Sequence, residues 1–224
     1  MEQFKIELHA HTVYNSGCSQ MDAATMVRMY LEKGYAGIMI CDHFTRHEIL
    51  GRKQAGVSDL YTYLTGYRAV LEEGQRQGLK VYRGAEVRFD ENENDYLLIN
   101  YPDSLLEDAD TVFRAGLEGF YKMRQDTDAL LIQAHPGRHV CTFADHRYLD
   151  GIEVYNMHPG WNSHNELALE FANRWPNLIR TAGSDCHAPD HVGHGGICTQ
   201  TLPENEAQLA ALLRSGKYEL IGHL

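Results

Sequence analysis

The sequence lacks most of what secreted and membrane-spanning proteins need. Its 224 residues include five cysteines, an odd number without CxxC spacing, so we interpret them as reduced thiols rather than a disulfide framework. No apolar run reaches the roughly 18 residues that a transmembrane helix needs, so we expect no transmembrane helix. The first residues lack the basic and then apolar layout of a signal peptide, which favours a cytoplasmic location.

Basic residues are also scarce. Twenty lysines and arginines stand against 31 aspartates and glutamates, which gives a net charge of −11 at pH 7. This balance argues against a membrane or a nucleic-acid polymer as partner, because both bind through basic surface patches. With 43% hydrophobic residues and no repeat or linker, the sequence predicts a single domain over residues 1–224. The oligomeric state stays open.

Strand and helix patterns alternate along the chain. Strands are predicted over 4–8, 36–41, 80–88, 96–101, 129–133, 151–155, 178–182 and 218–221, and helices over 22–33, 59–77, 117–124, 163–175 and 204–215. This alternation predicts an α/β fold with a mostly parallel sheet. About seven such units fit a small β/α barrel, with an open doubly wound sheet as the alternative. In both folds the functional site lies at the carboxyl ends of the strands.

Polar side chains follow six of these strands where the apolar runs end, and 13 histidines make metal binding a natural expectation. Residues two apart on an extended segment point to the same side, so His9 with His11, and Asp185 with His187, can each hold one cation. The Glu86 carboxylate can bridge two cations. Imidazole and carboxylate ligands together suit zinc, manganese or iron. The strand ends therefore predict a site for more than one metal ion.

In this order, the HxH, DH, GAE, HP and GSDxH motifs, from His9 to His187, resemble those of the PHP family, named for its polymerase and histidinol phosphatase members. The chain resembles a short stand-alone member. The resemblance implies a distorted (β/α)7 barrel, two or three divalent cations (Zn, Mn or Fe), and phosphoester hydrolysis. Carried over by position, the implied ligands are His9, His11, Glu86 and Asp185 for the first cation, Glu86 and His135 for the second, and His43 and His187 for the third.

Two segments depart from the family pattern. Many members carry a third histidine or an aspartate shortly after HxH, whereas this chain ends the corresponding segment, 14–18, in Cys18. Cys18 then either supplies a thiolate or is an ordinary loop residue. Phosphatase members often have a histidine where this chain has Asp95 and Tyr96. Either residue would replace that ligand, or water would complete the second site.

We therefore expect a metal-dependent phosphatase in which a metal-bridging hydroxide attacks a phosphomonoester of a small metabolite. The residues expected at the catalytic centre are Asp185, His187 and Glu86. Arg138 is the expected phosphate clamp, because a guanidinium can bind two phosphate oxygens at once. The other residues expected to contact substrate are His158, His194 and Asn156, and the leaving group takes its proton from His187, His158 or a water on the metal.

Two other functions stay open. One is a different metal-assisted hydrolysis, of an amide or by deamination, because similar ligands serve such reactions in related barrels. The other is a non-catalytic, metal-stabilised module that binds a partner or a small ligand. Release of phosphate, release of ammonia, or release of neither distinguishes the three hypotheses.

Overall fold

The structure is a computed structural model that describes residues 3–51 and 59–222. The strands of this part of the chain are β1 (Phe4–Ala10), β2 (Tyr35–Ile40), β3 (His43–Phe44), β4 (Lys80–Arg88), β5 (Asp95–Ile99), β6 (Leu130–Gln133), β7 (Gly151–Asn156), β8 (Ile179–Gly183), β9 (Gly196–Thr199) and β10 (Glu219–Ile221). Its α-helices are α1 (Ala23–Glu32), α2 (Arg46–Leu50), α3 (Asp59–Tyr63), α4 (Thr65–Gln77), α5 (Ala109–Met123), α6 (Asn165–Arg174) and α7 (Glu206–Ser215). Short 3-10 helices cover Asp103–Leu105, His146–Tyr148 and Pro189–His191.

Capping residues in the sequence explain where several helices begin and end. Asp22 begins α1 by accepting a hydrogen bond from the Thr25 backbone N–H at 2.9 Å. Gly78 ends α4 in the left-handed conformation, at φ 87°. The predicted helix over 59–77 is instead two helices, α3 and α4. The predicted helix over 117–124 is only the second half of α5, because Gly116 at φ 64° kinks this helix and interrupts its apolar pattern.

The strands form one sheet in the order β10-β9-β1-β2-β4-β5-β6-β7-β8, and β3 pairs with β4 beside this path. The pairs β1–β2, β2–β4, β6–β7 and β7–β8 are parallel. β5 is antiparallel to both of its neighbours, and β9 is antiparallel to β1 and β10. A bridge between Ala10 and Cys186 brings the segment after β8 back to β1, so the sheet is nearly closed. The predicted distorted β/α barrel is confirmed, and the open-sheet alternative is not.

Hydrophobic clusters hold the helices against this sheet. α1 buries Met26 and Tyr30, and α5 contributes Phe113 and Phe120 to the packing around β4 and β5. α7 buries Leu213 in a cluster that includes residues of β1, β2 and β6. Each large apolar side chain removed from water contributes roughly 1.5–3 kcal/mol. This packing fixes the strands whose carboxyl ends carry the polar motifs.

The structure also bears on the expectations about cysteines and membranes. All five cysteines are free, as expected; Cys41 and Cys186 are buried, whereas Cys18 is exposed. Every helix in the described ranges is too short or too polar to cross a membrane.

Candidate metal centre

The side chains that follow the parallel strands converge at one end of the barrel. β1 brings His9, the residue after its end brings His11, β4 brings Glu86, and the segments after β6 and β8 bring His135 and Asp185. These side chains are almost completely removed from solvent, with exposed fractions between 0 and 4%. The structure thus brings together, within the groups that have metal-ligand spacing, all seven residues expected as ligands: His9, His11, His43, Glu86, His135, Asp185 and His187.

The first group surrounds a small volume between β1, β4 and the segment after β8. His9 Nε2 lies 3.2 Å from Glu86 Oε1 and 3.5 Å from Asp185 Oδ1. His11 Nε2 lies 3.5 Å from Glu86 Oε2 and 3.2 Å from Asp185 Oδ1. Two imidazole nitrogens and three oxygens of two carboxylates therefore lie close together from three different elements, which is the arrangement that a divalent cation needs.

The hydrogen bonding of this group supports that interpretation. His9 Nε2, His11 Nε2, Glu86 Oε2 and Asp185 Oδ1 are buried and have no hydrogen-bond partner within residues 3–51 and 59–222. An unsatisfied buried polar atom typically costs about 1–3 kcal/mol, and more when it is charged. Four such atoms in one place would be costly unless another group satisfied them. A divalent cation bound to all four removes this cost, so the residues present fit a metal ion.

The outer ring nitrogens explain how the inner ones are kept available. Glu153 Oε1 lies 3.0 Å from His9 Nδ1 and accepts a hydrogen bond from it. Ser16 Oγ donates to Asp42 and so accepts from His11 Nδ1 at 3.2 Å. In both rings the proton stays on Nδ1, and the Nε2 lone pair faces the candidate site.

The second group consists of His9, Glu86 and His135. His135 Nε2 lies 3.0 Å from Glu86 Oε1, so Glu86 faces both groups, as a bridging carboxylate must. Asp95 Oδ2 lies 3.8 Å from His135 Nε2, but the Arg88 guanidinium binds both Asp95 oxygens, at 2.8 and 2.7 Å. Tyr96, the other residue considered for this position, lies in a hydrophobic cluster.

The third group consists of His11, His43 and His187. The His11 ring centroid lies 4.4 Å from that of His43 and 4.2 Å from that of His187. His187 Nδ1 lies 2.9 Å from the Asp185 carbonyl oxygen and donates to it, so its Nε2 lone pair remains for a ligand. Cys18 Sγ lies 3.3 Å from His43 Nε2. Partial burial raises the pKa of the Cys18 thiol, but hydrogen bonds with the two imidazoles lower it overall, to about 6.

The charges of the centre balance one another. Burial alone would raise the pKa of Glu86 and Asp185, but the neighbouring imidazoles hold both well below their ordinary values. Burial alone would lower the pKa of His135, but its hydrogen bonds raise it to about 9. Burial and the two neighbouring imidazoles lower the pKa of His11. Protons on some of the imidazoles thus offset the negative charges of the two buried carboxylates. A bound cation would offset those charges in place of the protons.

Backbone conformation is unusual at two of these residues. His135 has φ 27° and Asp185 has φ 48°, in the left-handed region that side chains other than glycine rarely adopt. Such strain persists where the surrounding structure imposes it, and it is common at functional sites. Nearby, Gly183 leaves room for β1, because a Cβ there would overlap the His9 side chain and lie 2.9 Å from Glu153 Oε1.

A pocket of about 470 Å³ opens above the three groups. Of the residues expected to contact substrate, Arg138 and His158 line this pocket. Asn156 is buried behind it and accepts a hydrogen bond from Arg138 at 2.8 Å. His194 is exposed and lines a neighbouring cleft. Burial lowers the pKa of His158 to about 4.

Sequence reasoning missed several residues that the structure places at the centre. Glu153 contacts His9. The sequence feature that could have revealed it is a charged residue within the otherwise apolar start of strand β7. Arg88 and Trp161 line the pocket, and Trp161 is 51% exposed. Arg88 and Trp161 lie outside the metal-ligand motifs, so the sequence contained no indication of their place in the pocket.

The PHP domain family model matches residues 7–218, so the chain belongs to the PHP domain family. No curated protein matches the sequence. Among solved structures, a two-domain protein from Bacteroides vulgatus that contains a predicted PHP-like metal-dependent phosphoesterase is 18% identical with a TM-score of 0.70. The match covers 99% of this chain and 65% of that one, so this chain spans less than two thirds of that relative.

Two further structures share the fold at low identity. PsfC from Pseudomonas syringae is 18% identical with a TM-score of 0.65, over 93% of this chain and 87% of PsfC. The lesion-specific endonuclease PfuEndoQ from Pyrococcus furiosus is 14% identical with a TM-score of 0.62, over 98% of this chain and 58% of the endonuclease. At these identities the similarity shows the fold alone, since PsfC and a lesion-specific endonuclease both share it.

Proposed function

We propose that this chain is a metal-dependent hydrolase that cleaves a phosphomonoester of a small metabolite. Four buried ligand atoms, on His9, His11, Glu86 and Asp185, that have no hydrogen-bond partner in the described part of the chain carry this proposal. Membership of the PHP family supports it. The pocket above these residues has a volume in the range of small-ligand sites.

Each candidate group would hold one divalent cation, Zn, Mn or Fe. The first cation would take His9, His11, Glu86 and Asp185, the second Glu86 and His135, and the third His43 and His187. When bound, such cations bring the pKa of water down to roughly 7 and polarise phosphoryl oxygens. Arg88 already binds Asp95, so water rather than Asp95 would complete the second site.

Arg138 is the residue best placed to bind the phosphate. Its Nη2 donates to Asp185 Oδ2 at 2.6 Å and to Asn156 Oδ1 at 2.8 Å, so the guanidinium is fixed beside the metal ligands. A fixed guanidinium offers directed donors to phosphate oxygens with little further loss of side-chain entropy. Asn156 therefore acts on substrate through Arg138.

The leaving group also needs a proton. His158 and His187 both line the same wall of the pocket, with ring centroids 5.7 Å apart. His187 would hold the third cation, and the pKa of His158, about 4, leaves its ring neutral at pH 7, so water at the centre would supply the proton. His194 lies in the adjoining cleft, where it would contact a part of the substrate remote from the phosphate.

The net charge of −11 favours a small substrate over a nucleic-acid polymer, because a basic track for a phosphate backbone is not evident in the sequence.

We also propose that residues 1–224 form one domain that works in the cytoplasm. One continuous path of paired strands, from β10 to β8, supports the first point. Five free cysteines support the second.

Phosphate release from a panel of phosphomonoesters tests the proposal. The chain would be loaded with Mn or Zn and compared with Asp185→Asn, which removes a ligand charge, and with Asp126→Asn, an exposed aspartate just before β6. We expect release by the wild type and Asp126→Asn and its loss in Asp185→Asn. A fully loaded chain that releases no phosphate contradicts the proposal. Ammonia release would then identify the other hydrolysis, and release of neither product a binding module.

A further inference from the structure

Cys18 differs from the buried cysteines in both exposure and surroundings. It is exposed, whereas Cys41 and Cys186 are buried among apolar residues. Its Sγ lies 3.3 Å from His43 Nε2, and the thiol also interacts with the His187 ring. A small hydrophobic residue would have no reason to face two imidazoles in this way.

The loop that carries Cys18 is tied to both histidine segments. Two residues before it, Ser16 Oγ accepts from the His43 backbone N–H at 3.0 Å. Two residues after it, the Gln20 backbone N–H donates to the His187 carbonyl oxygen at 2.8 Å. The loop is therefore held between these histidines by hydrogen bonds on either side of Cys18, and the position of the thiol does not depend on its own weak hydrogen bonds.

A second observation points to a ligand at the same place. His11, His43 and His187 form a group whose ligand atoms all lie within 4.8 Å of one another. His11 Nε2 faces Glu86 and Asp185 and is counted with the first group, but His43 Nδ1 is also buried without a hydrogen-bond partner among the residues that the structure describes. With His11 shared with the first group, the two remaining imidazoles need at least one more protein ligand to hold a cation firmly.

We propose that Cys18, as a thiolate, joins His43 and His187 as the protein ligands of a third cation. This inference rests on the proposed metal-dependent function and specifies one of its sites. Binding would release the thiol proton to solvent, since the thiolate is the form that ligates metals. The open side of the site faces the pocket that Cys18 and both histidines line.

A thiolate changes which metal this site prefers. Thiolate ligands favour zinc, iron and similar thiophilic cations, whereas carboxylate sites also accept manganese and magnesium. The third site would therefore discriminate most strongly between metal ions. The group around Glu86 and Asp185 would accept a wider range of divalent cations. The structure thereby assigns two kinds of metal preference to neighbouring sites.

Cobalt substitution tests this directly, because a thiolate bound to Co²⁺ gives a sulfur-to-cobalt charge-transfer band in the near ultraviolet. We expect the band in the wild type and in Cys141→Ser, whose thiol lines the same pocket beside His135. We expect Cys18→Ser to lose the band and to bind one equivalent of cobalt fewer. Cys18 is exposed, so its serine variant should keep the fold, which circular dichroism checks.

Alkylation gives an independent readout. Iodoacetamide should modify Cys18 in the metal-free chain, and bound Zn²⁺ should slow that modification, with peptide mass spectrometry to locate the label. Equal labelling of Cys18 with and without bound zinc would contradict the proposal.

The outcomes separate this inference from the proposed function. A wild-type chain that binds cobalt without the band, or a band that survives in Cys18→Ser or disappears in Cys141→Ser, overturns the role of Cys18. Metal-dependent phosphate release would remain in that case. A wild-type chain that binds no cobalt at all contradicts both.

Discussion

Glu153→Gln should weaken metal binding although Glu153 itself is not a proposed ligand. Glu153 Oε2 accepts from the His135 backbone N–H and from Asn156 Nδ2, both at 2.9 Å, while Oε1 faces His9 Nδ1 at 3.0 Å. The glutamine oxygen would take the position with two donors, so its NH₂ group would face His9 Nδ1. That arrangement favours a proton on His9 Nε2, the nitrogen that faces Glu86 and Asp185.

The expected magnitude follows from this change of tautomer. Loss of such an outer partner typically lowers metal affinity ten- to a hundredfold, which is about 1.4–2.7 kcal/mol. Competition with a chromogenic chelator measures the affinity, and circular dichroism checks that the chain stays folded. Glu170→Gln, on the exposed face of α6, is the matched control and should bind metal like the wild type. A folded Glu153→Gln chain that binds metal like the wild type would show that Glu153 does not control the His9 tautomer.

Three further predictions concern the same centre. Chelation of a metal-loaded chain should lower its Tm, because a cation at a hundred times its Kd adds about 2.7 kcal/mol to the free energy of unfolding. Metal affinity should fall as the pH drops from about 8 to 6, because the raised pKa of His135, about 9, lets protons compete with the cation. Gly183→Ala should lose bound metal and about 1–3 kcal/mol of stability, because its Cβ would displace His9 and Glu153.

Differential scanning calorimetry, chelator competition at several pH values and urea denaturation with metal analysis measure these three effects. An unchanged Tm after chelation would mean that metal and folding are not coupled. An affinity that rises on acidification would exclude imidazole ligands. Wild-type metal content in Gly183→Ala would show that β1 and β8 can separate without cost to the site.

The parallel strands and their polar ends could be predicted because they depend on local sequence. The apolar run before Cys41 and the alternation from Phe4 both indicate strands, and the strand over 80–88 has the predicted bounds. Strand β9 was missed because its residues read as part of a connecting loop. The antiparallel direction of β5 was missed although only residues 89–94 join it to β4, as in a hairpin. The short strand β3 at His43 was also missed, because two residues carry no periodicity.

In the candidate site, too, contacts set by local sequence could be predicted, whereas contacts set by the tertiary fold could not. Pairs such as His9 and His11 share a face because of the period of a strand, so their convergence could be predicted. The contact of Glu153 with His9 joins residues 144 apart in sequence, and only the closed sheet brings them together. The pairing of Arg88 with Asp95 depends likewise on the β4–β5 register. This pairing engages Asp95, which the sequence suggested as a metal ligand, with the Arg88 guanidinium beside the second site.

Anomalous diffraction from crystals grown with Mn²⁺ or Zn²⁺ would show whether cations bind among the side chains of the candidate metal centre. We expect a metal peak bounded by His9, His11, Glu86 and Asp185, within bonding distance of their nitrogen and oxygen atoms that lack a hydrogen-bond partner among residues 3–51 and 59–222. Further peaks would lie beside His135 and between His43 and His187. A well-ordered centre with these side chains in place and no peak among them, at saturating metal, would contradict the proposed metal centre.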